Sequence, residues 1–136
     1  MKKLGLGVAL VTSTVLANNI TVEITNLLNT NGKVQIGLYD KAEFFSIVDK
    51  VYKGAVVDIS SKRIKYQFKN IPNGTYAISI FHDENENNKV DKNFLGIPKE
   101  GYGPSNNIRP SFRGANFEEA KFTLDGNKNI IIKMGF

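Results

Sequence analysis

The chain of 136 residues contains no cysteine and only one histidine, His82. Without cysteine it can form neither a disulfide bond nor a thiolate metal site. A single imidazole cannot build a zinc site that needs several histidines. The folded domain must therefore be held together by its hydrophobic core, and about 120 residues are enough to build one.

The chain also has no apolar run long enough for a comfortable membrane span. The N-terminal apolar stretch, residues 4–17, is shorter than the roughly 20 residues that a membrane-spanning helix needs. It follows a basic start, Met1-Lys2-Lys3, and it ends in a small-x-small sequence. This pattern predicts a secretory signal peptide over residues 1–17, and the alternatives are a first β-strand or an uncleaved anchor. We expect residues 18–136 to form one periplasmic or secreted domain, with no membrane span after cleavage.

A concentration of positive charge is missing as well. The formal net charge is +5, and loss of Lys2 and Lys3 with the signal peptide leaves about +3. The remaining basic residues are interleaved with acidic ones, without the basic stripe of nucleic-acid-binding proteins. Nucleic acid is therefore not an expected partner, whereas weak attraction to anionic surfaces of the cell envelope is compatible with this charge.

Short alternating segments between turn residues predict an all-β protein. The strand-like segments are residues 20–24, 34–39, 55–59, 64–68, 75–81, 120–124 and 129–134. The turn sequences at residues 70–74 and 125–127 predict that the strands on either side of each form a β-hairpin. About seven strands, and no helix long enough for a βαβ unit, predict an antiparallel β-sandwich of the immunoglobulin-like or transthyretin-like kind.

Two stretches interrupt the alternation. Residues 40–49 contain two pairs of apolar residues and predict a short helix or a packed loop. Residues 83–119 show little strand signal, but apolar residues are spread along the stretch, and this argues against disorder. We therefore expect one long ordered crossover loop that packs on the sandwich.

The start of this loop carries oxygen-bearing side chains at every second position, as in the first part of an EF-hand calcium loop. Phe94 stands where an EF-hand needs a bidentate Glu, so a complete EF-hand is excluded. We predict a truncated structural calcium site, and the alternative is a solvated loop whose side chains bond to their own backbone. The candidate ligands are Asp83, Asn85, Asn87, the backbone carbonyl of Lys89, and Asp91.

His82 offers a possible catalytic group. With Asp83 or Glu84 and with Ser105 as nucleophile, it would form the arrangement of a hydrolase. The Gly-x-Ser-x-Gly elbow is absent around Ser105, and a lone His at a strand end more often makes a structural hydrogen bond. We therefore predict that the protein is not an enzyme.

A glycine-flanked tyrosine marks a second candidate site. An exposed Tyr102 between Gly101 and Gly103 would suit contact with a glycan or a peptide, and the alternative is a turn with Tyr102 packed on the sandwich. A deep, partly aromatic pocket nearby would indicate a carrier of a small ligand or glycan. A flat face would indicate a structural module or a binder of another envelope protein. The candidate ligand-binding residues are Tyr102, Asn106, Asn107 and Arg109.

Four segments carry a resemblance to a known family. They are Asn-Ile-Pro-Asn-Gly-Thr-Tyr-Ala at 70–77, Phe-His-Asp-Glu-Asn at 81–85, Leu-Gly-Ile-Pro-Lys-Glu-Gly-Tyr-Gly at 95–103 and Phe-Glu-Glu-Ala at 117–120. Over nearly the whole mature length the chain resembles the DUF2141 family of exported bacterial proteins. That family usually carries glycine at the positions of Glu86 and Asn88. The first segment is also similar to a turn in transthyretin-like and carboxypeptidase-regulatory-like sandwich modules. The resemblance implies export and a sandwich fold, and it implies no activity.

Overall fold

Two β-sheets packed face to face make up the described part of the chain. The computed structural model describes residues 17–86, 101–111 and 113–135. No helix within these residues has the length and apolar character needed to cross a membrane. The strands are β1 (Ala17–Thr25), β2 (Lys33–Tyr39), β3 (Lys53–Asp58), β4 (Ile64–Pro72), β5 (Gly74–Asp83), β6 (Tyr102–Pro104), β7 (Phe122–Leu124) and β8 (Lys128–Lys133).

The smaller sheet has the strand order β4–β1–β8, and the larger sheet has the order β3–β2–β5–β6, with β7 paired to the start of β5. All pairs are antiparallel except β1 with β8, which run parallel. The predicted all-β sandwich is therefore confirmed, and the described residues form eight strands where about seven were expected.

The core lies between the two sheets and follows the predicted alternation. Ile20, Val22 and Ile24 occupy every second position of β1 and are fully buried, and Ile78 and Ile80 of β5 belong to the same apolar cluster. Complete burial of an isoleucine side chain contributes about 1.5–3 kcal/mol, so this cluster is the main source of stability in a chain without disulfides.

Both predicted hairpins are wrong. β4 pairs with β1 in the smaller sheet, while β5 pairs with β2 in the larger sheet, so residues 70–74 carry the chain from one sheet to the other. Likewise β7 pairs with β5 of the larger sheet, while β8 pairs with β1 of the smaller sheet. Residues 125–127 therefore also connect strands of different sheets. A bulge explains the first change of sheet: Asn70 takes the left-handed conformation (φ 59°), and the pairing register shifts beside it. Such bulges bend a strand and let it switch sheets.

A tyrosine corner holds this crossing in place. The Tyr76 hydroxyl donates a hydrogen bond of 2.7 Å to the carbonyl O of Pro72, four residues earlier. Immunoglobulin-like sandwiches have the same bond where the chain passes between their sheets. Asn18 adds a second restraint, because its Nδ2 donates to Ile71 O at 3.2 Å and to Asn73 Oδ1 at 2.7 Å.

The segment between β2 and β3 packs on the outer face of the larger sheet. It contains two 3₁₀ turns, Ala42–Phe44 and Val48–Lys50, in agreement with the predicted short helix or packed loop. Phe44, Phe45 and Val51 pack there against a second apolar cluster, whose buried members are Tyr39, Ala77, Phe117 and Ala120.

Part of the predicted crossover loop is ordered as expected. After β6 come a 3₁₀ turn, Ser105–Asn107, and a one-turn helix α1, Phe117–Ala120. Asn116 caps α1 in a reciprocal capping box with Glu119. Residues 87–100 of the loop lie outside the described residues.

Candidate functional site

A row of small residues crosses three strands on the outer face of the larger sheet. Gly37 of β2 lies opposite Gly54 of β3 on one side and opposite Ser79 of β5 on the other. The next row on this face is large, with Gln35 between Val56 and Phe81. A cavity of about 330 Å³ is lined by all three of these residues, and its volume is within the range of small-ligand sites.

Tyr39 forms one wall of this cavity. Its ring lies over Gly37, so a Cβ at Gly37 would come within 2.7 Å of a ring carbon. The Tyr39 hydroxyl donates to the carbonyl O of Ile47 at 3.1 Å, and the ring meets that of Phe45 edge-on at 5.4 Å. Burial raises the pKa of Tyr39 to about 12, with a smaller contribution from the charge of Asp49. Tyr39 is therefore a neutral wall at physiological pH.

Two serine hydroxyl groups belong to the polar part of the lining. Ser46 Oγ donates to Ser79 Oγ at 3.0 Å, so the segment after β2 is joined to the sheet at the cavity. Ser46 takes a left-handed conformation (φ 68°), which costs a residue other than glycine on the order of 1 kcal/mol. Strain of this kind is frequent at binding sites, where it places a polar group.

The described walls of the cavity carry no formal charge. Among the described residues that line it, none is Asp, Glu, Lys, Arg or His. Its polar side chains are Gln35, Ser46 and Ser79, and the remaining walls include Val48, Val51 and Phe81. Val56, another apolar residue of the lining, is 57% exposed to solvent. A neutral, largely apolar ligand suits these surroundings, because an unpaired charge pays a large desolvation cost.

Tyr102, the first of the predicted ligand-binding residues, lies beside this cavity. It pairs with Phe81 across β5 and β6, and its hydroxyl accepts a hydrogen bond from Ala115 N at 3.1 Å. Burial is the main cause that raises the pKa of Tyr102, and the hydrogen bond from Ala115 opposes the increase. Tyr102 is thus the strand neighbour of Phe81, which lines the cavity.

The other three predicted residues are bonded to the backbone. Asn106 Nδ2 donates to the carbonyl O atoms of Glu119 (3.0 Å) and Lys121 (2.9 Å). The side-chain amide of Asn107 makes two bonds to β8. Its Nδ2 donates to Ile131 O (3.2 Å), and its Oδ1 accepts from Lys133 N (2.9 Å). These contacts tie the turn after β6 to α1 and to the edge of β8.

Arg109 continues the attachment to β8. Its guanidinium donates to the carbonyl O of Tyr102 at 2.8 Å and to that of Lys133. Burial lowers the pKa of Arg109, which nevertheless keeps its charge at neutral pH. The structure thus brings Tyr102 and Arg109 together, and contact of these four residues with a ligand stays a prediction.

Only two of the five predicted calcium ligands lie within the described residues. Asp83 ends β5 with 1% of its surface exposed, and its Oδ2 lies 3.4 Å from Gln35 Nε2. Asn85 follows on the surface. The described residues contain no group of three or more His, Asp or Glu side chains that would hold a metal ion. The remaining candidates, Asn87, Lys89 and Asp91, fall outside the described residues, so the calcium site stays a prediction.

His82 and Ser105 do not form a catalytic pair in this fold. The His82 ring is fully buried, and its Nε2 donates to the carbonyl O of Asn31 at 2.5 Å. Its Nδ1 has no hydrogen-bond partner in the described part of the chain. Ser105 Oγ instead accepts from Ile78 N at 2.9 Å and donates to Ala120 O at 2.6 Å. Each side chain therefore makes its bonds with the backbone.

Comparison with known proteins identifies the family. A family model described as "Uncharacterized protein conserved in bacteria (DUF2141)" matches residues 22–132. The chain belongs to the DUF2141 family. Neither a search of curated proteins nor a search of solved structures found a match.

One position that is usually glycine in this family adopts a glycine-like backbone here. Glu86 has a φ of 55°, and its N–H donates to the carbonyl O of Asp83 at 3.3 Å. The loop thus turns directly after β5, with Glu86 in a backbone conformation that glycine adopts more readily. Gly32 packs against the same turn, because a Cβ there would come within 2.1 Å of Asp83 O.

The cavity itself was missed by sequence reasoning. The available signal was Gly37 within an otherwise apolar strand, because glycine inside a strand often marks a close approach of a ligand or another chain. That Gly37 lies opposite Gly54 depends on the register between β2 and β3, which are separated by 13 residues. Ser46 carried no signal of its own.

Proposed function

We propose that this DUF2141 protein is a non-catalytic binding module that takes a small ligand in the cavity above Gly37, Gly54 and Ser79. The cavity of about 330 Å³ is the observation that carries the proposal. It combines apolar walls with a few hydroxyl and amide groups, the usual composition of a small-molecule site. Its position beside Tyr102 also matches the partly aromatic pocket that a small-ligand carrier requires.

The composition of the cavity supports binding without catalysis. General acid–base chemistry needs a group that exchanges protons near neutral pH. The described lining offers hydroxyl and amide groups only, and Tyr39, with a pKa of about 12, is not such a group. The hydroxyl pair Ser46–Ser79 has no adjacent base in the lining to activate either oxygen as a nucleophile.

We propose that the module works in the bacterial envelope, as a periplasmic or secreted protein. The N-terminal pattern supports export, and the family match is to bacterial proteins. The start of β1 is compatible with cleavage after Ala17, because the first core residue of the strand is Ile20. The mature chain would then begin at Asn18, whose side chain helps to hold the tyrosine corner.

A fragment screen by protein NMR tests the binding site. We expect small neutral aromatic compounds to shift the amide resonances of residues 35–39 and 79–81, which border the cavity. Val56→Trp would close the open side and is expected to weaken binding at least about tenfold, which corresponds to 1.4 kcal/mol. Ile131→Trp is the matched control, because Ile131 is similarly exposed (60%, against 57% for Val56) on the smaller sheet.

The proposal fails if no fragment at millimolar concentration perturbs these amides. It also fails if the Val56→Trp variant, once shown to be folded, binds the fragments as tightly as the Ile131→Trp variant. Perturbation centred on β1, β4 and β8 would place the binding surface on the opposite sheet and would contradict the assignment of this cavity.

A further inference from the structure

We propose that the hydroxyl of Ser79 is the polar anchor of the cavity and that the ligand is a neutral molecule with one hydrogen-bond acceptor on an apolar body. The inference rests on the proposed function, because it assigns a ligand class to the same cavity. The ligand class is argued from the hydrogen bonding of two serines and from the absence of charge on the described walls. The cavity could bind a ligand even if this class were wrong.

The hydrogen bonding of the two serines leaves the Ser79 hydroxyl available as a donor in the cavity lining. Ser46 Oγ donates to Ser79 Oγ at 3.0 Å, so the Ser46 proton is used and Ser79 acts as acceptor in this bond. A hydroxyl group carries one donor and two acceptor positions. Within the described residues the Ser79 side chain makes no other hydrogen bond, so its own proton remains to be donated. Because Ser79 lines the cavity, an acceptor on a bound ligand is a direct partner for it.

The position of Ser46 is determined from two sides. Its backbone is held in the left-handed conformation at φ 68°, and its hydroxyl is bonded to Ser79 at 3.0 Å. The pair Ser46–Ser79 is thus pre-organised, which lowers the entropic cost of binding an acceptor.

The walls select against charged ligands. The lining also includes Val48, Val51 and the rings of Tyr39 and Phe81. None of the described lining residues is ionised at neutral pH. A carboxylate or an ammonium group entering this space would lose its hydration without gaining a counter-ion. A ketone, an ether or an alcohol loses much less and gains the bond to Ser79.

Four probes of nearly identical size and shape test this assignment. Acetophenone carries an acceptor, cumene replaces that acceptor by a methyl group, benzoate is an anion and benzamidine is a cation. Dissociation constants are measured by NMR titration of the purified protein. In the wild type we expect acetophenone to bind about five- to tenfold tighter than cumene, the size of one net hydrogen bond. We expect benzoate and benzamidine to bind at least about tenfold more weakly than acetophenone.

Substitutions at Ser79 assign the preference to one group. Ser79→Ala is expected to make acetophenone and cumene bind equally, whereas Ser79→Thr keeps the hydroxyl and the preference. Ser60→Ala, at an exposed serine outside the cavity lining, is the matched control and leaves the preference unchanged. Melting curves establish that each variant is folded before it is titrated.

The outcomes separate the two proposals. If acetophenone and cumene bind the wild type equally, or if benzoate binds best, the assigned ligand class is wrong while the cavity remains a binding site. If the preference survives in Ser79→Ala, the anchor is a different group and the inference is overturned. If none of the four probes binds, both the proposed function and this inference fail.

Discussion

The tyrosine corner gives the sharpest prediction about the fold. Tyr76 is 5% exposed, and its hydroxyl bonds to the carbonyl O of Pro72 at 2.7 Å where the chain passes between the two sheets. Tyr76→Phe removes this oxygen and leaves the ring, so the packing of the ring against the core is kept. The perturbation is therefore confined to one hydrogen bond and to the partner that it leaves behind.

The expected cost follows from the surroundings of that bond. A net intramolecular hydrogen bond contributes about 0.5–1.5 kcal/mol, and a half-buried carbonyl left without its donor adds part of its desolvation cost. We expect Tyr76→Phe to lower the free energy of unfolding by about 1–2 kcal/mol. For a domain of this length, that corresponds to a decrease in melting temperature of about 4–8 °C.

Thermal unfolding followed by circular dichroism measures this decrease. Tyr66→Phe is the control, because the Tyr66 ring packs edge-on against Phe68 at 4.9 Å and its hydroxyl has no hydrogen bond in the described part of the chain. That variant should stay within about 0.5 kcal/mol of the wild type. A Tyr76→Phe protein that melts with the wild type, or no lower than Tyr66→Phe, would refute the role given to the corner.

Three further predictions concern the loop after β5, the helix α1 and calcium. Glu86→Gly should raise stability by about 1 kcal/mol in urea unfolding, because glycine adopts a φ of 55° without strain; a loss of stability would contradict this. Hydrogen bonds from Arg113, at 2.7 and 3.0 Å, and from the backbone of Asn116 lower the pKa of Glu119 to about 2. The stabilisation by Glu119 is therefore present above the unfolded pKa of 4.5 and is lost as the pH falls towards 2. The melting temperatures of the wild type and of Glu119→Gln should differ at pH 7 and converge near pH 2. Calcium at ten times its dissociation constant should stabilise the fold by about 1.4 kcal/mol, whereas equal melting curves in several millimolar calcium and in chelator would exclude the calcium site.

The sequence was sufficient for the strands and insufficient for their pairing. Alternation identifies Ile20, Val22 and Ile24 as a buried face, because burial on one side of a strand requires only local periodicity. The same periodicity is compatible with a hairpin and with a change of sheet, so the two turns were assigned to hairpins that the fold does not contain. Whether β4 and β5 form a hairpin or lie in different sheets depends on the bulge at Asn70 and on which strands pair with β1. Both depend on the tertiary structure.

The candidate site, like the strand pairing, could be predicted from the sequence only in part. The glycine neighbours of Tyr102 mark it in the sequence, and Tyr102 lies next to the cavity. Asn106 and Asn107 stand out in the sequence only as polar loop residues, and their side chains bond to the backbone. Amide side chains that replace missing backbone partners cannot be distinguished from ligand-binding amides in a sequence. Gly37 and Gly54 both line the cavity, and their position opposite each other follows only from the register between β2 and β3.

The parallel pairing of β1 with β8 has a consequence for how the chain folds. Contacts between these ends of the chain join residues 108 positions apart, as between Asn26 and Met134. β1 is the central strand of its sheet, with β4 on one side, and it lacks its second neighbour until β8 has been synthesised. Folding rates fall as such distant contacts increase, and the native sheet cannot close on a partial chain. The three-stranded sheet is therefore complete only once the chain from β1 to β8 has been synthesised.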